Sequence, residues 1–115
     1  MGLFGRLSAL LGGKPEVLRS PEEQAALDKR TVTLALYHFS TCPYCFRVQR
    51  AIRRLHLKIE LRDALHNPNW KLELISQGGK LQVPCLRMEH SPDRVEWLYE
   101  SADIIRYLED QFGSG

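Results

Sequence analysis

The sequence is poor in cysteine and has no second group of residues with metal-ligand spacing. Its three cysteines are Cys42, Cys45 and Cys85, and this odd number does not build the disulfide framework of a small secreted protein. Cys42 and Cys45 form a C-x-x-C pair, but a structural zinc site needs four ligands, usually from a second pair. These absences disfavour a zinc protein and fit a reducing compartment, so we expect a cytoplasmic protein without bound metal.

The sequence also lacks a strong charge of either sign. Sixteen lysines and arginines stand against fourteen acidic residues, which leaves a formal net charge of +2 at pH 7. Nucleic-acid binding needs a more concentrated basic surface, so no nucleic-acid partner is expected. One basic patch follows the C-x-x-C pair and contains Arg47, Arg50, Arg53 and Arg54. Such a patch can hold an anion but is more often a solvated helix face.

A convincing signal peptide or lipid anchor is missing from residues 1–14. Their apolar side chains share one helical stripe, which consists of Leu3, Phe4, Leu7, Leu10 and Leu11. The segment is too short to cross a bilayer, lacks a signal-peptide cleavage site, and has Arg6 where myristoylation requires Ser or Thr. We expect the stripe to pack on its own domain or to fray; contact with a membrane surface or a partner is the alternative.

The composition is that of one globular domain: of 115 residues, 43% are apolar and 26% are charged. We divide the chain into an N-terminal segment (1–30) of amphipathic stripe, linker and short helix, a main domain (31–112), and a frayed end (113–115). Helices are predicted at residues 21–29, from 43 to about 55, from 68 to a stop at 78–79, and at 101–112. Strands are predicted at 31–38, 57–62, 82–88 and 95–99.

The order of these elements predicts the sheet. A helix joins the first two strands, and such a crossover makes them parallel. Residues 90–94 join the last two strands and are typical of the turn in an antiparallel hairpin. The sequence therefore predicts an α/β domain, βαβ followed by ββα, with a four-stranded mixed sheet and helices on both faces.

The C-x-x-C pair lies where the first strand ends and the next helix begins. Pro43 suits the first helical position, which makes Cys42 the N-cap and Cys45 the third helical residue. The free amides of the first turn and the helix dipole favour a thiolate at the N-cap. Cys45 returns to the same side of the helix, where its sulfur is expected to be more buried and less acidic. We interpret the pair as a redox dithiol.

Three separated motifs resemble the glutaredoxins, and more closely the glutaredoxin-like proteins that share the N-terminal domain of glutathione transferases. They are Cys42-Pro43-Tyr44-Cys45, Val83-Pro84, and Tyr99-Glu100-Ser101-Ala102-Asp103-Ile104-Ile105-Arg106-Tyr107-Leu108. The resemblance covers roughly residues 31–112. It implies a thioredoxin-like fold and a glutathione-dependent thiol–disulfide oxidoreductase, expected to act as a monomer on glutathionylated or disulfide-bonded proteins.

The resemblance also implies roles for single residues. Cys42 is the nucleophile and Cys45 the resolving thiol, while the implied substrate-binding residues are Tyr44, Val83, a cis Pro84, Glu100 and Ser101. Glutathione is the co-substrate and no metal is implied. The alternative is a non-catalytic module that binds glutathione or carries an iron–sulfur cluster.

Several simpler interpretations stay open. Pro84 could be an ordinary proline of an edge strand, and Glu100 or Ser101 could only cap the last helix. Cys85 is expected to be a small core residue.

The sequence departs from the family pattern at two places. Phe39 stands where many glutaredoxins have a lysine for the glycine carboxylate of glutathione, with Arg47 or Lys80 as substitutes. The 115 residues also leave no room for the second, helical domain of the transferases, so conjugation chemistry is not expected.

Overall fold

Four strands form one mixed sheet in the computed structural model, which describes residues 16–113. Strand β1 (Leu34–His38) pairs in parallel with β2 (Glu60–Asp63) and antiparallel with β3 (Cys85–Ser91). Strand β4 (Arg94–Tyr99) pairs antiparallel with β3, so the strand order is β2-β1-β3-β4. The predicted topology is confirmed. The expectations for the stripe in residues 1–14 and for the last two residues lie outside the described residues and stay predictions.

The described part of the chain contains four helices, which begin where local signals predict them: α1 (Pro21–Thr31), α2 (Pro43–Arg54), α3 (Pro68–Gly78) and α4 (Ser101–Phe112). Ser20 and Glu23 form a capping box before α1, and the Asn67 side chain accepts a hydrogen bond from the Asn69 amide before α3. Gly79, with φ of 95°, ends α3 in the left-handed region that glycine adopts without strain. None of the helices within residues 16–113 combines the length and apolar character that crossing a membrane requires.

Each face of the sheet covers a separate apolar cluster. Alternate residues of a strand point to opposite faces, so Leu36 joins the larger cluster with α2 and α4, whereas Tyr37 joins the smaller one with α3. The larger cluster also contains Leu27 of α1, which is buried. The short helix of the N-terminal segment therefore packs on the same core as the main domain.

Three strands begin at later residues than the sequence analysis predicts. Thr31 is fully buried and completes α1, where its hydroxyl donates to the Asp28 carbonyl at 3.2 Å, so β1 begins only at Leu34. The Leu57 amide bonds to the Ile52 carbonyl at 3.0 Å, which makes Leu57 part of the turn after α2 and delays β2 to Glu60. In both places a hydrogen bond back to the preceding helix overrides the strand-like pattern.

The third strand also starts later than predicted, and its hairpin is tighter. Residues 82–84 are irregular, and β3 begins at Cys85, after the cis bond between Val83 and Pro84. Strands β3 and β4 run on to Ser91 and from Arg94, so the turn is shorter than the loop predicted at residues 90–94. A bulge between Glu89 and Ser91 accompanies this turn.

Arg19 ties the ends of two helices together. Its guanidinium donates to the Leu55 carbonyl at 2.6 Å and to the Phe112 carbonyl, which lie at the C-terminal ends of α2 and α4. The last carbonyls of a helix have no partner within it, and a cation there also meets the negative end of the dipole. Arg54 and Glu109 form a second link between these helices, with an N–O distance of 2.5 Å. Helix α2, which carries the C-x-x-C pair, is therefore held firmly beside α4.

Replacing Arg19 by Met is expected to lower the free energy of unfolding by about 1–3 kcal/mol, because two helix-end carbonyls lose a charged donor. Urea denaturation measures the loss. Arg106→Met is the matched control, since the Arg106 side chain is 71% exposed and only reaches Asp103 at 3.5 Å. The control should change stability by less than about 0.5 kcal/mol. Equal losses in the two variants would contradict the proposed tie.

Candidate active site

Cys42 is the N-cap of α2, as the sequence predicts. Its backbone is extended, with φ of −90° and ψ of 118°, and its Sγ accepts a hydrogen bond from the Cys45 amide at 3.4 Å. The side chain is partly exposed, and Pro43 occupies the first turn. The sulfur therefore faces both solvent and the positive end of the helix, which is the environment of a reactive thiolate.

Cys45 has the opposite environment. Its side chain is fully buried on the core side of α2. Burial raises the pKa of the Cys45 thiol to about 12; the neighbouring Cys42 acts in the same direction, and the Phe39 backbone opposes it. Both thiols are free in this structure. The two sulfurs thus lie together but differ in access, and the buried Cys45 thiol holds its proton at neutral pH.

The Val83–Pro84 bond is cis, as predicted, and it immediately precedes β3. Strand β3 is an inner strand, so the interpretation of Pro84 as an edge-strand proline is wrong. Cys85 is in register with Tyr37, near the end of β1 from which the chain leads to Cys42. Because these strands are antiparallel, the start of β3 and the end of β1 meet at the same end of the sheet.

The start of α4 lies at the same end of the sheet. Tyr99 is in register with Cys85, and the next residues are Glu100, the N-cap, and Ser101, the first helical residue. Glu100 has a positive φ of 72° and makes no side-chain capping bond; its carboxylate instead accepts from Gln82 Nε2 at 3.1 Å. The interpretation of Glu100 as a mere capping side chain is therefore wrong. The first amides of α4 have no side-chain cap and can bind an anion.

Tyr99 positions the segment that leads to the cis proline, a role that the sequence analysis missed. Its hydroxyl donates to the Gly78 carbonyl at 3.0 Å, and the Lys80 ammonium lies 4.4 Å from its ring centroid. Gly78 is required here because a Cβ atom would lie 2.7 Å from the Tyr99 hydroxyl and 3.0 Å from Trp97. Burial raises the pKa of Tyr99 to about 12, so the hydroxyl remains a donor.

Gln82 is a second residue that the sequence analysis missed, and no local pattern identifies it. Two basic residues are candidates for the contact that the missing lysine would make with glutathione. Arg47 lies over the ring of the exposed Tyr44, 5.5 Å from its centroid, and Lys80 precedes Gln82 in the loop. Phe39 itself packs against the smaller apolar cluster.

Cys85 is fully buried in the smaller cluster, which confirms the expectation of a core residue. Burial raises the pKa of its thiol to about 11, while the Tyr99 hydroxyl and Lys80 lower it. Across residues 16–113, no group of three His, Cys, Asp or Glu side chains is arranged to hold a metal ion.

The two motif sulfurs should differ in alkylation rate. In a Cys45→Ser, Cys85→Ser variant, the remaining Cys42 should react with iodoacetamide at about pH 8 at least about tenfold faster than Cys45 does in a Cys42→Ser, Cys85→Ser variant, because the buried thiol holds its proton. The rate at Cys45 should still rise near pH 10, since its pKa is raised. Mass spectrometry follows both reactions. Similar rates, or a rate at Cys45 that levels off near pH 8, would contradict the assignment.

Comparison with known proteins identifies the family. The family model of the glutathione S-transferase N-terminal domain matches residues 36–115. A comparison with curated proteins finds no match.

Solved structures of similar fold include three informative cases. Maleylacetoacetate isomerase from Anaeromyxobacter dehalogenans 2CP-1, with dicarboxyethyl glutathione and citrate in its active site, is 26% identical with a TM-score of 0.55, covering 71% of this chain and 38% of the isomerase. Glutathione transferase Omega 2S from Trametes versicolor is 24% identical with a TM-score of 0.55, covering 70% and 37%. Wheat glutaredoxin is 14% identical with a TM-score of 0.52, covering 81% and 87%.

The transferase and the glutaredoxin are similar in fold alone, and the chain spans little more than a third of the isomerase. The family match covers well over half of the chain and includes the cysteine pair, the cis proline and the start of α4. The chain therefore belongs to the glutathione S-transferase N-terminal domain family and has its thioredoxin-like fold.

Proposed function

We propose that the protein is a glutathione-dependent thiol–disulfide oxidoreductase of the glutaredoxin type. The observation that carries this proposal is the pairing of a partly exposed N-cap sulfur, Cys42, with a buried sulfur, Cys45, whose pKa is raised to about 12. Only the first sulfur is accessible and accepts an amide hydrogen bond at the positive end of a helix, the position that favours a thiolate. Its proposed protein substrates are glutathionylated or disulfide-bonded proteins, and a cytoplasmic location and a monomeric state remain predictions.

The proposed reaction has two exchanges. The Cys42 thiolate attacks the glutathione sulfur of a protein–glutathione disulfide, so that a Cys42–glutathione bond forms and the substrate leaves as a thiolate that takes up a proton. A second glutathione thiolate then attacks the glutathione sulfur bound to Cys42. This step releases oxidised glutathione and restores the Cys42 thiolate. In the net reaction one free glutathione is oxidised, because its sulfur pairs with the glutathione sulfur released from the substrate, and the protein sulfur is reduced to a thiol.

Glutathione is proposed to lie across the end of the sheet where the three motifs meet. The backbone of Val83, held next to the cis Pro84, would pair with the cysteinyl part of the tripeptide. The uncapped amides at Ser101 would receive the γ-glutamyl carboxylate, and the Glu100 carboxylate would bind the adjacent ammonium group. The isomerase, 26% identical, carries a glutathione derivative in its active site, which supports this placement.

The remaining contacts are assigned by position. Tyr44 is exposed in the first turn of α2, beside Cys42, where it can cover the bound tripeptide. Arg47 or Lys80 would bind the glycine carboxylate in place of the lysine that Phe39 replaces. Cys45 would act only in the dithiol route, in which it displaces glutathione from Cys42 and closes the Cys42–Cys45 disulfide. That route requires the buried thiol to lose its proton, so it should be the slower one.

The two cysteines should not be equivalent in mutagenesis. Cys42→Ser should abolish all activity, because the attacking sulfur is lost. Cys45→Ser should retain deglutathionylation of a small glutathione mixed disulfide, measured by coupled NADPH oxidation, but should lose reduction of a protein disulfide, which needs both sulfurs.

The comparison between these variants separates two mechanisms. If both variants are equally inactive on the glutathionylated substrate, the monothiol route is wrong and the protein is better described as a dithiol reductant. Cys85→Ser is the matched control, because this thiol is buried in the smaller apolar cluster and takes no part in the proposed exchange.

The start of α4 should determine glutathione affinity. Replacing Glu100 and Ser101 by Ala is expected to weaken binding about tenfold. The charge-assisted contact of Glu100 with the ammonium group and the reach of the Ser101 hydroxyl to the carboxylate are lost, whereas the backbone amides of α4 remain. Titration calorimetry with glutathione measures this change. The alkylation rate of Cys42 should stay nearly constant, because these residues would hold the far end of the tripeptide.

The matched control for this variant replaces Glu89 and Ser91, at the other end of the sheet, by Ala. Its affinity for glutathione should equal that of the wild type. An unchanged affinity in the Glu100→Ala, Ser101→Ala variant would reduce these residues to a structural role.

A further inference from the structure

Helix α2 carries an unbalanced charge on its exposed side. Its twelve residues include four arginines and no acidic residue. Arg54 is largely covered and pairs with Glu109, but Arg47, Arg50 and Arg53 are exposed. Like charges three and four residues apart repel on a helix, so this arrangement does not stabilise α2.

One line of exposed side chains on α2 combines an aromatic residue with two of these arginines. We call it the arginine stripe, and it consists of Phe46, Arg50 and Arg53. Spacings of four and three residues place them on a single helical face, opposite the face that buries Val48 and Ile52. Phe46 is 51% exposed although it is a large apolar residue. Among residues 16–113, Arg50 and Arg53 have no carboxylate partner. The stripe starts in the first helical turn, beside Cys42.

We propose that the arginine stripe docks an acidic segment of the protein whose disulfide Cys42 attacks; this inference rests on the proposed function and names its substrate class. The occupant follows from charge complementarity. Two guanidinium groups that have no carboxylate partner within residues 16–113 lie along the helix beyond an exposed aromatic ring, and they match a peptide that carries an apolar residue followed by carboxylates. The partner's cysteine would lie at Cys42 and its acidic residues farther along α2.

The geometry sets the spacing in the partner. With a rise of about 1.5 Å per residue, Arg50 and Arg53 lie about 12 and 16 Å from Cys42 along the helix. An extended peptide advances about 3.3 Å per residue, so acidic side chains about four and five residues from the cysteine would reach the two guanidinium groups. An apolar residue about two positions from the cysteine would contact Phe46, about 6 Å along the axis.

Two glutathionylated peptides of equal length test the proposal. One has Glu at the fourth and fifth positions on both sides of its cysteine, and the other has Gln there. The wild-type protein should show a kcat/KM about three- to tenfold higher for the acidic peptide at low salt. The preference should disappear near about 0.5 M salt, because exposed charge pairs are screened.

Charge-reversed variants locate the effect. Arg50→Glu, Arg53→Glu should abolish or invert the preference, whereas Lys29→Glu, Arg94→Glu should keep it. The control pair makes the same change in net charge at exposed positions on α1 and at the start of β4. All variants should turn over the mixed disulfide of glutathione and 2-mercaptoethanol at the wild-type rate. Equal kcat/KM for both peptides, or equal preference in both charge-reversed variants, would overturn the proposal.

A binding measurement keeps the inference testable by itself. Fluorescence anisotropy with an acidic peptide whose cysteine is replaced by Ser should show binding that Arg50→Glu, Arg53→Glu removes. If the small disulfide is not turned over but this binding is found, the proposed function fails and the docking surface stands. If the stripe binds phosphatidylserine vesicles and not the acidic peptide, the docking proposal is wrong and the surface belongs to a lipid membrane.

Discussion

The packing of α2 against the sheet is the constraint on which the site depends. Val48, Ile52 and Leu55 bury the apolar side of the helix in the larger cluster, and each such side chain contributes about 1.5–3 kcal/mol by leaving water. Once this side is buried, the orientation of every other α2 residue follows. Cys45 enters the core and keeps its proton, while Cys42 stays at the exposed end of the helix. One packing contact thus separates the two sulfurs chemically.

The antiparallel arrangement of the inner strands brings the other parts of the site to the same place. The chain leaves β1 toward Cys42, enters β3 from Pro84, and leaves β4 toward Glu100. All three connections lie at the same end of the sheet. Side-chain contacts then hold the connecting loops in position. Gln82 donates to Glu100, and Tyr99 donates to Gly78 at the end of α3. The irregular loop before the cis proline is therefore attached to both of its neighbours.

A polar and aromatic network supports α3 on the face of the sheet that α2 and α4 leave free. Arg62 donates to Glu73 of α3 at 2.7 Å and lies 4.4 Å from the Trp70 ring centroid, and the Tyr37 hydroxyl also donates to Glu73. Burial and the nearby carboxylate raise the pKa of Tyr37 well above its ordinary value, so it remains a donor. Removing one member would leave a partly buried charge unpaired, which is costly. The network thereby fixes α3, whose last residue meets Tyr99 near the site.

Much of the fold could be predicted from the sequence because its signals are local. The capping box at Ser20, Pro43 at the first helical position and the stop at Gly79 each act within one turn of their own helix. The C-x-x-C pair is likewise a local motif, so the sequence by itself determined that Cys42 begins a helix. It also determined the order of strands and helices, because apolar periodicity reports each element separately.

Contacts between residues that are far apart in the sequence were decided only by the tertiary structure. The predicted start of β2 was wrong because the Leu57 amide bonds back to the Ile52 carbonyl, and residues 57–59 form no strand. The contacts of Gln82 with Glu100 and of Tyr99 with Gly78 join residues about twenty positions apart, and no local pattern reports such pairs. The same holds for the arginines of α2: they look alike in the sequence, but the packing of α2 beside α4 pairs Arg54 with Glu109. A pairing partner exists only once packing has brought the two elements together, so it cannot be deduced from either element alone.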